Sequence, residues 1–158
     1  MKPAFDLTPS KPLVPNDAVA AIIHTADGRY LLQHRDAIPT IFYPDHWGCF
    51  GGAIEPGESP ETALLRELEE ELSLRIDDAA AVVFGRFSFS VETAGIPALD
   101  RIYYDIRIDP ALVGSMRLAE GAGMELVDGR KALHELRLVP YDGFALWLHR
   151  HQQLLTPS

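Results

Sequence analysis

The chain has one cysteine, Cys49, so no internal disulfide can form, and a reducing cytoplasm is the expected location. No apolar run approaches the length of a bilayer-crossing helix. The amino end, Met-Lys-Pro-Ala-Phe-Asp, lacks the basic-then-apolar pattern of a secretory leader. Basic residues are scarce: 14 Lys and Arg stand against 23 Asp and Glu, a formal net charge of −9. That balance argues against nonspecific attachment to nucleic acid or to an anionic membrane. It also means that any anionic ligand needs local cationic help. Internal repeats and a compositional break marking a second domain are both missing. The six histidines, at 24, 34, 46, 134, 149 and 151, show no helical metal-binding spacing, and none is expected as a ligand.

What is present, over 158 residues, is enough for one domain with a proper core. Prolines at 3, 9, 12 and 15 mark residues 1–15 as an extended arm, leaving 16–158 as the domain. Residues 17–24 and 29–35 read as a hairpin turned at Asp27-Gly28. A loop rich in turn and aromatic residues covers 36–46, and a short strand lies near 47–50. Strands are expected at 81–91 and 101–108, joined by a hairpin loop at 92–100. A short helix near 128–135 and a longer one from Tyr141 to Leu155 close the chain. Strands interleaved with helices give an α/β class, an α+β mixed sheet packed between helices.

Residues 52–74 carry the most information. Ser59 suits a helix N-cap, Pro60 the first helical position and Glu61 the positive end of the dipole. Leu64, Leu65, Leu68 and Leu72 follow at helical spacing as the core face. Glu67, Glu70 and Glu71 share one side of the helix and border that face. Arg66 is placed to steady a carboxylate by a charge-assisted hydrogen bond. Clustered carboxylates repel one another unless a cation neutralises them. Hard oxygen donors with no cysteine or histidine pair favour Mg²⁺ or Mn²⁺. The competing reading is a solvated Glu/Arg face that binds no metal. The preceding turn, with Gly51, Gly52 and Gly57 around Glu55, Pro56 and Glu58, weighs against it. Such glycines allow close approach of backbone to a ligand, and a carbonyl such as that of Gly51 can be a further donor.

The stretch resembles the Nudix box, G-x5-E-x7-R-E-U-x-E-E-x-G-U with U a bulky apolar residue. Gly52, Glu58, Arg66, Glu67, Leu68, Glu70, Glu71 and Leu74 fit it. Ser73 departs from it, standing where the family has glycine, which concerns the helix end and not the carboxylates. Phe50 stands where proline is common in the family's Trp-to-Gly-Gly approach. The resemblance implies an α/β/α sandwich of the Nudix type over about residues 17–155. It implies metal-assisted attack of water on a pyrophosphate phosphorus, in a nucleoside diphosphate linked to another moiety. Carried over position by position, it makes Gly51 (through its carbonyl), Glu67, Glu70 and Glu71 metal ligands, with Arg66 orienting Glu67. Glu58 and Gly52 become supporting residues of the turn. The base is a box glutamate or a later loop glutamate. Glu120 is the first loop candidate, as base and further ligand, and Glu125 the weaker one.

Arg35 and Trp47 are substrate-binding candidates, with Tyr43 and Phe42 as other aromatics able to stack on a base. A strand-end arginine and rim-packing aromatics are the plainer readings of these residues. Cys49 reads as a buried strand residue. The expected partner is a small-molecule nucleotide: a nucleoside triphosphate, a nucleotide sugar or a dinucleotide. No motif separates these; the Phe-Gly-Gly turn and the long 36–46 loop lean slightly away from the family's best-known triphosphate-cleaning members, which makes nucleotide sugars an early test. Homodimerisation is common in the family, but no interface is legible here. A non-catalytic nucleotide sensor on the same fold is the alternative function.

Overall fold

The computed structural model describes residues 17–91 and 96–152. The expected arm at 1–15, part of the 92–100 loop and the last residues of the expected final helix lie outside them. Seven strands are described: β1 (Ala18–His24), β2 (Arg29–His34), β3 (Trp47–Gly48), β4 (Phe50–Ala53), β5 (Val82–Val91), β6 (Ile96–Arg107) and β7 (Gly123–Asp128). The helices are α1 (Pro60–Leu72), α2 (Gly129–Glu135) and α3 (Pro140–Arg150), with 3₁₀ turns at Asp78–Ala80 and Pro110–Ser115.

One mixed sheet runs in the order β3-β2-β1-β6-β5, with β4 also paired to β1 and β7 to β2. The β1–β6 pair is parallel and the other pairs are antiparallel. Strand β1 lies in the middle, and its unbroken run Ala18–Ile23 is what a strand covered on both faces requires. Alternate residues serve two cores. Val19, Ala21 and Ile23 meet Leu64, Leu68 and Leu72 of α1. Ala20 and Ile22 meet Ala132 of α2 and Ala145 and Leu146 of α3. The architecture is therefore the expected α/β/α sandwich on a mixed sheet.

Helix α1 forms as its sequence dictates. The Ser59 hydroxyl accepts the Thr62 N–H at 3.1 Å, and Ala63, Leu64, Leu68 and Leu72 are fully buried while Leu65 is half-buried. Each buried leucine contributes about 1.5–3 kcal/mol relative to exposure. The helix ends at Ser73, whose φ of 52° and ψ of 31° are left-handed. Its N–H donates to the Glu69 carbonyl at 3.0 Å, and the Leu74 N–H to that of Leu68 at 3.2 Å. Serine thus takes up the backbone shape for which glycine is suited, and Leu74 still reaches the core.

Two expectations need correction. Residues 96–100 belong to strand β6, so the hairpin loop expected at 92–100 is shorter. Strand β7 was not expected at all. Its six residues follow a glycine-rich loop and show no clean alternation of burial, so the periodicity is weak.

Candidate functional site

Arg66 organises the site. Its Nε and Nη2 grip both oxygens of Glu58 at 2.8 and 2.9 Å, its Nη1 reaches Glu67 at 2.8 Å and, more weakly, Glu70 at 3.3 Å, and Nη2 also donates to the Ala53 carbonyl at 3.0 Å. Planar fork geometry of this kind fixes direction as well as charge. Glu58 closes the turn from its other side: its carboxylate accepts the Glu55 N–H at 2.9 Å and its own N–H donates to the Glu55 carbonyl at 3.0 Å. The fork to Arg66 holds the Glu58 carboxyl well below its usual range, at about 2. The turn and the helix are thereby locked together, which the sequence pattern alone does not reveal.

The two glycines of β4 fit the carboxylates closely. A Cβ on Gly52 would stand 2.5 Å from Glu67 Oε1, so the missing side chain is what lets Glu67 lie across the strand. A Cβ on Gly51 would stand 2.2 Å from the Val19 carbonyl, and the Gly51 φ of 139° also disfavours a side chain. The Gly51 N–H donates to Glu71 Oε2 at 2.8 Å.

The glutamates grade from buried to exposed. Glu71 is 5% exposed, Glu67 half-buried and Glu70 exposed. Glu120 is brought to them by its loop: the Arg117 and Ala119 N–H groups donate to the Leu72 and Glu71 carbonyls at 2.9 Å, and Gln33 Nε2 donates to the Glu120 carbonyl at 3.0 Å. Burial pushes the Glu71 carboxyl up to about 8; the Gly51 N–H opposes the shift, and the charges of Glu67 and Glu120 add to it. Burial likewise raises Glu67 above its ordinary value against the pull of Arg66, with Glu70 and Glu120 adding to the rise. Among the described residues neither Glu71 nor Glu120 has an ion pair.

This donor set fits a hard divalent cation. It offers buried carboxylate oxygens whose charge Arg66 only partly offsets, beside glycine backbone. The oxygens do not close on a single point. The trio whose donor atoms all lie within 4.8 Å, among the described residues, is His24, Asp105 and His149, elsewhere in the fold.

Residues 14–151 match the model of the NUDIX domain. The chain belongs to the Nudix family. Over 78 residues it is 36% identical to the nucleoside triphosphatase NudI of Enterobacter sp. strain 638, a match covering 49% of this chain and 55% of that protein. Over 61 residues it is 38% identical to NudI of Escherichia coli K12/DH10B, covering 39% and 36%. The chain thus spans about half the length, or less, of these relatives. The fold likeness runs further. The MutT protein of Methanosarcina mazei Go1 superposes with a TM-score of 0.69 at 20% identity, covering 89% of this chain and 94% of that one. The E. coli dihydroneopterin triphosphate pyrophosphohydrolase gives 0.64 at 16% identity, covering 89% and 95%.

Within this Nudix domain the other candidates separate. Arg35 lies on the box side: it lines a small open pocket of about 110 Å³ with Gln33, Asp36, Ile41, Glu120 and Gly121, and its charge acts on Glu71. Its Nε donates to the Phe42 carbonyl at 3.0 Å, which ties it to the 36–46 loop. Phe42 itself is 56% exposed. Trp47 is not brought to the carboxylates. It stacks on His34, centroids 4.6 Å apart and 6° from parallel, and packs on the core beneath α2 and α3. Tyr43 packs against His46 and Tyr141. Glu125 is exposed on β7, opposite Leu32. Cys49 is buried, as expected; its N–H donates to Asp142 at 2.9 Å and burial pushes its thiol well up.

Asp142, which no pattern in the sequence marks, is 3% exposed and joins α3 to the sheet. It accepts from Cys49 N–H and from the Tyr103 hydroxyl at 2.7 Å, with Arg101 at 3.6 Å. An aspartate in the first turn of an α-helix gives only a capping signal.

Proposed function

We propose that this Nudix protein hydrolyses the pyrophosphate bond of a nucleoside diphosphate linked to another moiety, with Mg²⁺ or Mn²⁺ as cofactor. The observation that carries this reading is the Arg66-centred cluster, in which the buried Glu71 and half-buried Glu67 carboxylates face the Gly51-Gly52 backbone. Glu67, Glu70, Glu71 and the Gly51 carbonyl would hold the ion, with Glu120 able to join from its loop. A bound divalent ion supplies charge neutralisation at the pyrophosphate and acidifies water.

The chain's own residues do the rest. Arg66 holds Glu67 in one rotamer and keeps the Glu55–Glu58 turn closed. Gly52 leaves room for Glu67, and Gly51 steadies Glu71. Arg35 supplies the local positive charge that an acidic protein needs to receive a phosphate anion. The proton leaving the attacking water goes to a carboxylate, for which Glu67 and Glu120 are the candidates. Trp47 is set aside as a substrate contact because it stacks on His34 beneath α2 and α3. Phe42, exposed beside Arg35, is the better placed aromatic.

The names of the NudI relatives favour a nucleoside triphosphate as substrate over a nucleotide sugar or a dinucleotide, against the slight lean of the loop pattern away from triphosphates. The test is a screen over nucleoside triphosphates, nucleotide sugars and dinucleotides, with and without Mg²⁺, in which added pyrophosphatase and phosphatase convert the products of pyrophosphate cleavage to free phosphate. Metal-dependent release from the triphosphates is expected. Binding of these ligands without turnover of any would instead support a sensor.

A further inference from the structure

At the end of β1 away from the box, and on the opposite face of the sheet, three side chains from three elements converge. His24 Nε2 lies 2.6 Å from Asp105 Oδ1, and His149 Nε2 lies 3.1 Å from Asp105 Oδ2. His24 ends β1, Asp105 lies on β6 and His149 is in the last turn of α3. The two imidazoles meet edge-on with centroids 4.7 Å apart. Nδ1 of His149 is 2.8 Å from the Tyr30 hydroxyl, in a buried contact. A cavity of about 230 Å³ borders both imidazoles and Tyr30, and is also lined by Thr25, Arg107 and Arg150.

We infer that His24, His149 and Asp105 form a second metal site, specific for a zinc-class divalent ion and separate from the carboxylates of the box. Two imidazoles and one carboxylate are a borderline-soft donor set, which selects Zn²⁺ over Mg²⁺. Ligand atoms around a tetrahedral zinc stand roughly 3.3 Å apart; the 2.6 Å His24–Asp105 pair would open by about 0.7 Å, and no two donor atoms of the trio are more than 4.8 Å apart. Tyr30 serves as the outer partner such a ligand requires. When Nε2 of His149 binds the ion, the ring carries its proton on Nδ1, and that N–H donates a hydrogen bond to the Tyr30 oxygen, whose own hydrogen turns away from the ring. Three protein ligands leave a fourth position open, and the bordering cavity gives access to it. Arg107 and Arg150 have no ion pair among the described residues and would draw an anion to that position. Such a site would clamp the end of α3 to β1 and β6. The spacing rule missed it because its members lie 81 and 44 residues apart in sequence.

The test uses the whole chain in excess Mg²⁺, so that the box is occupied. Equilibrium dialysis against Zn²⁺ should leave one equivalent bound, and Co²⁺ should give the visible absorption of a low-coordinate nitrogen-ligated ion. Affinity should fall at least about tenfold in His149→Gln and Asp105→Asn but hold in Glu70→Gln. Should those variants fail to fold, imidazole ¹⁵N shifts of the unaltered protein decide the matter: two rings must respond to Zn²⁺. Unmoved rings, no Zn²⁺ retained over Mg²⁺, or a Zn²⁺ equivalent lost in Glu70→Gln would each overturn the site.

Discussion

Replacing Gly52 by alanine separates the site from the fold. The new Cβ would stand 2.5 Å from Glu67 Oε1, 2.6 Å from its Cδ and 2.8 Å from Oε2. Ordinary contact begins near 3.4 Å, so the Glu67 carboxylate must retreat by about 0.9 Å. It is the far end of a flexible side chain, so it yields and the backbone stays. The retreat strains the 2.8 Å hydrogen bond to Arg66, at a cost of about 1 kcal/mol. For a domain of this size that lowers Tm by about 2–4 °C. A displacement of about 1 Å in a catalytic constellation costs on the order of 10²-fold in rate, or about 2.7 kcal/mol of barrier. Gly52→Ala should therefore keep a cooperative urea transition and lose about 100-fold in Mg²⁺-dependent phosphate release. A variant as fast as wild type would show that Glu67 need not lie where the structure puts it. A variant that unfolds would show that the backbone, not the carboxylate, gives way.

The neighbouring glycine should behave in the opposite manner. Gly51→Ala drives a Cβ to within 2.2 Å of a backbone carbonyl at a φ of 139°, so urea titration should show a loss above about 3 kcal/mol. Ser73→Gly should stabilise by up to about 1 kcal/mol, since it relieves a left-handed serine while adding unfolded-state entropy; a falling Tm would contradict this. In the absence of metal, the Glu71 carboxyl sits near 8 in the folded state against 4.5 ordinarily. Its stability contribution is thus full below pH 4.5 and is lost as pH rises through about 8. Glu71→Gln keeps an acceptor for the Gly51 N–H without that loss. Urea titrations without Mg²⁺ should find the variant gaining on wild type between about pH 5 and about pH 9, and a constant gap would refute the assignment.

Legibility followed distance along the chain. The helix cap, the leucine face and the Glu67-Glu70-Glu71 rim could be read because each depends on residues within two turns of one another. The Arg66 grip on Glu58 spans a turn whose shape no periodicity encodes, and so only Arg66's nearer partners were expected. Trp47 and Arg35 illustrate the limits of proximity in sequence. Each lies near a strand end by the 36–46 loop, but register sends Trp47 beneath α2 and α3, whereas Arg35 lines a pocket with Glu120. The His24-Asp105-His149 trio was unreadable because the parallel β1–β6 pairing and the docking of α3 create it.

The metal-dependent hydrolysis proposed for the carboxylates of α1 is tested most directly by turnover of Glu70→Gln. The Glu70 side chain is 60% exposed and, among the described residues, its one ion pair is a 3.3 Å contact with Arg66, so its replacement should leave the melting transition in place. Phosphate release with Mg²⁺ should fall by at least about tenfold, close to 1.4 kcal/mol of barrier. Turnover and Mg²⁺ dependence both equal to wild type would remove Glu70 from the site and contradict the reading built on it.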